Sequence, residues 1–266
     1  MKYKILCSDL DGTLLSTKSD VSDFTISQIT RIKEQLKVIL VSARMPQSMT
    51  YVQKRLGIAE QPIICYNGAL VLDGEDEIFS ETIDYKAVEK VYGLADEIDI
   101  RLGLYCNQEW YVEETSERVQ KEINYTRTNP VFRSTIETLT DWKTRNLSAH
   151  KIMLMGTKSS ADTIFPLLMD DFGNEMNIYR SNDTLIELAP KSVSKLSAIQ
   201  QLLSPNESLT DVISFGDNYN DIEMLKNSGL GIAVENAREE VKSIADHVTL
   251  KNTEDGVAHF IKHNLI

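Results

Sequence analysis

Two acidic segments stand out when this sequence is searched for chemistry. Asp9-Leu10-Asp11-Gly12-Thr13 follows an apolar run at residues 5–8, and Gly216-Asp217-Asn218-Tyr219-Asn220-Asp221 follows another at 212–215. Carboxylates directly after buried strands stand at the carboxyl ends of those strands, where open α/β sheets gather ligands. In the first segment the backbone turns through Gly12, exposing amide N–H groups of the kind that cradle an anion. Both segments also have a plainer reading. Asp and Gly are ordinary turn residues, and an Asp at a helix start, as Asp221 is, serves as an N-cap.

The two segments gain meaning together. If their strands are neighbours, three or four carboxylates converge. Two like charges about 4 Å apart repel by about 4 kcal/mol at an effective dielectric near 20, so such a cluster needs a cation within it. Oxygen ligands without His or Cys select a hard ion, and a small site shared with phosphate favours Mg²⁺. Ser42, after the apolar run 38–41, offers a hydroxyl and nearby amides; Lys195, at a helix start, offers a compact cation. Each taken singly reads equally well as a cap or a solvated charge.

The elements that must position these residues follow from periodicity. Continuous apolar runs at 5–8, 38–41, 63–66, 212–215 and 230–234 read as strands of a parallel sheet covered on both faces. Apolar residues at steps of three and four predict helices over 26–36, 46–57 and 193–203, with later ones at 221–226, 237–245 and 256–263. Alternation of the two implies a doubly wound α/β domain. Residues 69–80 read as a hairpin turning near Asp73-Gly74. The mixed α/β stretch 82–187 then reads as an inserted second domain, leaving 1–81 and 188–266 as the catalytic core. Residues 178–184 are expected to re-enter the core, and Trp110 and Trp142 to stack on a substrate or, at least as readily, to fill the core of the insertion.

In order along the chain, Asp9-Leu10-Asp11-Gly12-Thr13, Ser42, Lys195, then Gly216-Asp217 with Asp221 resembles the four motifs of the haloacid dehalogenase superfamily of phosphohydrolases. Asn67-Gly68-Ala69 and the large insertion resemble its Cof-type branch, and the resemblance spans essentially the whole chain. Two positions depart from the pattern: Ala43 stands where the second motif usually has glycine, and Leu196 where glycine often follows the lysine. The resemblance implies a phosphatase with Asp9 as nucleophile and Asp11 as general acid and base, its carboxyl desolvated enough to hold a proton. It implies Mg²⁺ on Asp9, the Asp11 carbonyl and Asp217, with Asp221 holding that shell. Phosphoryl oxygens would meet Leu10, Gly12, Thr13, Ser42, Ala43, Lys195 and Asn220. The implied substrate is a small phosphorylated metabolite, sugar phosphates foremost, with the insertion as a cap that sets specificity.

The rest of the sequence bounds the partners. With 28 basic and 40 acidic residues the formal charge is −12, which argues against nucleic acid as a partner. A bound cation would reverse the local sign where an anionic substrate lands. Cys7, Cys65 and Cys106 are too scattered for a disulfide framework or a zinc site. Met1-Lys2-Tyr3-Lys4 leads straight into an aspartate-bearing strand rather than a signal peptide, and no apolar run approaches the roughly 20 residues of a membrane span, so a cytoplasmic location is expected. A phosphomutase or phosphotransferase using the same intermediate is the nearest rival. A phospho-accepting signalling domain is more remote, since such domains carry no insertion of this size.

Overall fold

The computed structural model describes residues 2–17 and 19–265; Met1, part of the N-terminal stretch read above, lies outside them. The chain begins with β1 (Ile5–Ser8), α1 (Asp23–Ile32), β2 (Lys37–Val41), α2 (Pro46–Leu56), β3 (Ile63–Cys65), β4 (Leu70–Asp73) and β5 (Asp76–Ser80). It continues through α3 (Tyr85–Glu97), β6 (Arg101–Cys106), β7 (Glu109–Val112), α4 (Glu117–Thr126), β8 (Val131–Phe132), α5 (Thr135–Arg145), β9 (Lys151–Met155), α6 (Lys158–Phe172), β10 (Met176–Asn182) and β11 (Leu185–Pro190). It returns with α7 (Lys195–Gln201), β12 (Val212–Gly216), α8 (Ile222–Asn227), β13 (Leu230–Val234), α9 (Glu239–Ile244), β14 (His247–Thr249) and α10 (Gly256–Asn264).

These elements form two compact units. Residues up to Phe79 join those from Ser194 onward, and Ser80–Val193 forms the other. The second unit is wider at its return than the expected 82–187, because β11 pairs antiparallel with both β9 and β10 and so belongs to the smaller sheet. For the same reason residues 178–184 do not re-enter the core: they lie in and just beyond β10, the edge of that sheet. Trp110 and Trp142, at 2% and 0% exposure, are buried inside this unit, Trp110 stacked on Tyr105 and Trp142 edge-on to Tyr111. All three cysteines are buried, and none forms a disulfide among the described residues.

The first unit is an eight-stranded sheet in the order β14-β13-β12-β1-β2-β3-β4-β5. Strands β14 through β3 run parallel and β4 turns back against β3. Each parallel strand in the middle of the sheet is buried almost throughout, as expected for a sheet with helices on both faces. Some helix bounds differ from the apolar periodicity: α1 starts at Asp23, before residue 26, and α7 starts at Lys195, after residue 193. Ser22 caps α1 by accepting from Thr25 N–H, and Ser194 caps α7 from Ser197 N–H, so propensity yields to capping at these ends.

Two local features fix where the strand ends point. β1 lies between β12 and β2, with Ser8 opposite Phe215 and Leu40, so the segments after β1 and β12 emerge side by side. After β3 the chain makes a left-handed turn, Tyr66, Asn67 and Gly68 having φ of 51°, 57° and 108°. That turn is tied to the end of β2, since Asn67 N–H donates to Ser42 O at 2.9 Å and Tyr66 N–H to Arg44 O at 3.1 Å. It is also packed against the start of α7: a Cβ on Gly68 would lie 2.3 Å from Ser194 O. Gly68→Ala therefore meets both a disfavoured φ and a backbone clash, and should cost about 2 kcal/mol or more. The check is a lower urea midpoint, with Gly74→Ala, whose Cβ would meet nothing within 4 Å, showing the smaller loss due to φ alone.

Candidate active site

The expected convergence of carboxylates occurs. Ligand oxygens of Asp9, Asp217 and Asp221 all lie within 4.8 Å of one another, and this is the cluster of three or more potential metal-ligating side chains found among the described residues. Asp9 leaves β1 with its N–H on Phe215 O at 3.0 Å, which locks it to β12. The chain then makes one irregular turn, Leu10–Leu14, in which Gly12 has φ 89°. A Cβ there would stand 2.5 Å from Asp217 Oδ2, so only glycine lets the first segment approach the second this closely. Thr13 Oγ1 donates to Asp217 Oδ1 at 3.3 Å across the same gap.

Lys195 is the only basic side chain bonded to this cluster among the described residues. Its ammonium, on a residue 1% exposed, donates to Asp9 Oδ1 at 2.7 Å and Asp221 Oδ1 at 2.6 Å. The resemblance makes it a phosphate-holding cation; in the structure its bonds run to Asp9 and Asp221. Burial pulls its pKa down, but Asp221 and Asp9 outweigh that and hold it above the ordinary lysine value. Asp221 does not cap α8. Its Oδ2 accepts from Asp217 N–H at 2.9 Å and Asn218 N–H at 3.0 Å, so both of its oxygens are engaged within the chain. Asp221 thus sets the loop that carries Asp217.

The charge is not balanced by the protein. Burial, then the repulsion of Asp221 and Asp217, raises Asp9 well above the usual carboxylate range despite Lys195. Burial and Asp221 push Asp217 up to about 7. Asp9 Oδ2 is buried and has no hydrogen-bond partner among the described residues. An orphaned buried carboxylate oxygen beside a second carboxylate is the donor set a hard divalent cation requires, so the residues present fit such an ion. Asp9 and Asp217 have the oxygens to hold it, and Asp221 orients the loop.

Other predicted residues are found around this cluster. Ser42 is buried after β2, its Oγ accepting Arg44 N–H at 3.3 Å; Ala43 beside it is partly exposed. Asn220 donates through Nδ2 to Asn67 Oδ1 at 3.0 Å, joining the fourth segment to the turn after β3. Asp11 differs from expectation. Its side chain is half exposed rather than desolvated, and Arg44 holds it with two bonds of 2.6 Å, from Nε to Oδ2 and from Nη2 to Oδ1. Arg44 itself is buried and braced on Ser48 Oγ at 3.0 Å.

Asn236, Asn252 and the role of Arg44 were missed by sequence reasoning, and Asn67 was singled out only within Asn67-Gly68-Ala69, without its contact to Asn220. Asn236 Nδ2 donates to Gly12 O at 2.7 Å, and Asn252 both donates its N–H to Asn236 Oδ1 and, through Nδ2, bonds Leu15 O, each at 2.8 Å. These two amides clamp the irregular turn from behind. Only the Asn67-Gly68 pair, and the adjacency of Arg44 to Ser42, carried a signal in the sequence.

Removing Lys195 would leave Asp9 and Asp221 buried without their shared cation. Lys195→Met should therefore cost about 3–5 kcal/mol at pH 8. Since Asp9 binds its proton more tightly in the folded state, the stability it contributes is present at low pH and is lost as pH rises. The deficit of Lys195→Met should accordingly shrink at pH 5. Urea unfolding of both proteins at the two pH values checks this.

Comparison with known proteins agrees with the geometry. The profile of the haloacid dehalogenase-like hydrolases matches residues 6–261. A Haemophilus influenzae protein with a provisional phosphatase name is 32% identical over 97% of both chains. A 5-amino-6-(5-phospho-D-ribitylamino)uracil phosphatase of Bacillus subtilis is 27% identical over 98% of this chain and 97% of its own. A solved haloacid dehalogenase-like hydrolase of Bacteroides thetaiotaomicron superposes with a TM-score of 0.88 at 27% identity, covering 98% of this chain and 99% of the other. With the profile and the fold agreeing over nearly the full length, the chain belongs to the haloacid dehalogenase-like hydrolase family.

Proposed function

We propose that the protein is a Mg²⁺-dependent phosphatase that hydrolyses small phosphorylated metabolites, sugar phosphates foremost, through an aspartyl phosphate on Asp9. The observation that carries this reading is the state of Asp9: Lys195 fixes Oδ1 at 2.7 Å, while Oδ2 is buried and unpartnered beside Asp217. A carboxylate fixed through Oδ1 by Lys195 and flanked by Asp217 is held in one orientation, which suits in-line attack on phosphorus. Its relatives named as phosphatases, one of them acting on a phosphorylated ribityl compound, support the substrate class.

Asp9, Asp217 and the Asp11 carbonyl would hold the ion, with Asp221 orienting Asp217. When bound, Mg²⁺ would withdraw charge from the phosphoryl oxygens and offset the acidic cluster. In the first step an Asp9 oxygen bonds to phosphorus as the bond to the leaving oxygen breaks, and Asp11 gives that oxygen a proton. In the second step Asp11 takes a proton from water as the water oxygen bonds to phosphorus. The bond to Asp9 then breaks, releasing phosphate and restoring the carboxylate. Asp11 must exchange its contact with Arg44 for the leaving group during the cycle, so Arg44 acts as its resting partner. Ser42, Asn220, Lys195 and the amides of Leu10, Gly12, Thr13 and Ala43 are the donors for the phosphoryl oxygens, whose spread charge such fixed donors stabilise. Substrate choice is assigned to the inserted unit.

Asp9→Asn should abolish turnover while keeping the circular dichroism of the native fold. Asp11→Asn should slow hydrolysis by about 10²–10⁴-fold. The measurement is phosphate release from a panel of phosphorylated sugars, nucleotides and vitamins, with and without Mg²⁺. Wild-type turnover by Asp9→Asn would refute the proposed nucleophile.

A further inference from the structure

Three of the chain's four histidines line a single cavity of about 480 Å³ in the first unit, and none of the three belongs to the acidic cluster. His259 and His263 stand one turn apart on α10, the spacing that places two side chains on one helix face. Their rings are 6.1 Å apart, centroid to centroid, at an interplanar angle of 17°. His247 reaches the same cavity from β14, and Glu235, just beyond the end of β13, adds a carboxylate to its lining.

Two features make these rings ligands in waiting rather than committed structural groups. Each ring packs against another: His259 with Phe24 at 5.0 Å, His247 with Phe260 at 5.3 Å, and His259 with His263. Among the described residues, no hydrogen bond or ion pair engages any of the three imidazoles. His247 and His263 are also exposed and His259 partly so, which leaves their torsions free to turn. Metal–imidazole bonds of about 2.0–2.1 Å require the nitrogens of the helical pair to close to roughly 3 Å, within reach of side-chain rotation on one helix face.

From this juxtaposition we propose a second cation site, selective for a borderline transition ion such as Zn²⁺, Ni²⁺ or Cu²⁺, with His259 and His263 as the chelating pair. His247 and Glu235 do not converge with the pair to within 4.8 Å in the structure; being exposed, they complete the donor set by turning their side chains inward. Imidazole donors favour these ions, whereas the oxygen-only cluster at Asp9 and Asp217 suits a hard one, so the two sites sort metals by donor chemistry. An ion held here ties α10 to β14 and to the loop after β13. The site is a pin for the last helix, separate from the reaction.

Cu²⁺ titration of the tag-free protein, followed by electron paramagnetic resonance with Mg²⁺ in excess to occupy the oxygen cluster, tests this. One equivalent should show hyperfine coupling to at least two imidazole nitrogens. The signal should be lost in His259→Gln/His263→Gln, and His247→Gln should weaken binding by roughly tenfold. Zn²⁺ should raise the melting temperature of wild type and not of the double variant. If the double variant misfolds by circular dichroism, the exposed His263→Gln alone carries the same expectation. A wild-type Cu²⁺ spectrum without nitrogen coupling, or one unchanged in the histidine variants, would overturn the site.

Discussion

One buried ammonium facing three carboxylates governs the arrangement of the core. Lys195 bridges Asp9 and Asp221, and Asp217 lies within the same few ångströms, so the site holds more negative charge than it can neutralise. Taking charges out of water costs several kcal/mol each, and such an excess persists in a folded protein only where a further cation compensates it. The raised proton affinities of Asp9 and Asp217 are the signature of that excess. Under the proposed function the same excess would draw a divalent ion into the cluster.

Holding the charges together is the task of the sheet and its loops. Adjacent parallel strands β1 and β12 bring the two acidic segments out side by side. Asp221 spends both oxygens on Lys195 and on two amides, making it an organiser of the loop rather than an open ligand. The turn after β3 fastens Ser42 and, through Asn67, Asn220. Asn236 and Asn252 hold the Gly12 turn from the other side. The nucleophile candidate is therefore positioned by contacts from most of the sheet's carboxyl edge, which keeps its free oxygen fixed in space.

Much of this was legible in sequence because it is local. Continuous apolar runs marked β1, β2, β3, β12 and β13, and the acidic segments at their ends marked the cluster. Asn67 and Gly68 could be picked out, though not their left-handed geometry. What stayed hidden depends on tertiary neighbours. Nothing in the chain at 44 announces a bidentate partner for Asp11, because the two are joined only by the packing of β2 beside β1. The clamp of Asn236 and Asn252 on the first segment spans more than two hundred residues and has no periodicity to betray it. Residues 178–184 and β11 were misplaced for a related reason: hydrophobic pattern identifies a strand but not which of two sheets it joins. The half-exposed Asp11 shows the same limit, since exposure is set by surroundings and not by the residue.

The central claim is that phosphorus becomes bonded to Asp9. The most direct measurement is single-turnover incubation of the Asp11→Asn variant with a hydrolysable phosphorylated substrate and Mg²⁺. Acid quenching, proteolysis and mass spectrometry of the peptide containing residues 5–15 would then locate any phosphoryl group. The account predicts one phosphoryl group on Asp9, accumulating because its hydrolysis lacks the base. A fully substrate-competent protein that leaves this peptide unmodified at every time point, or carries the phosphoryl group on another residue, would contradict it.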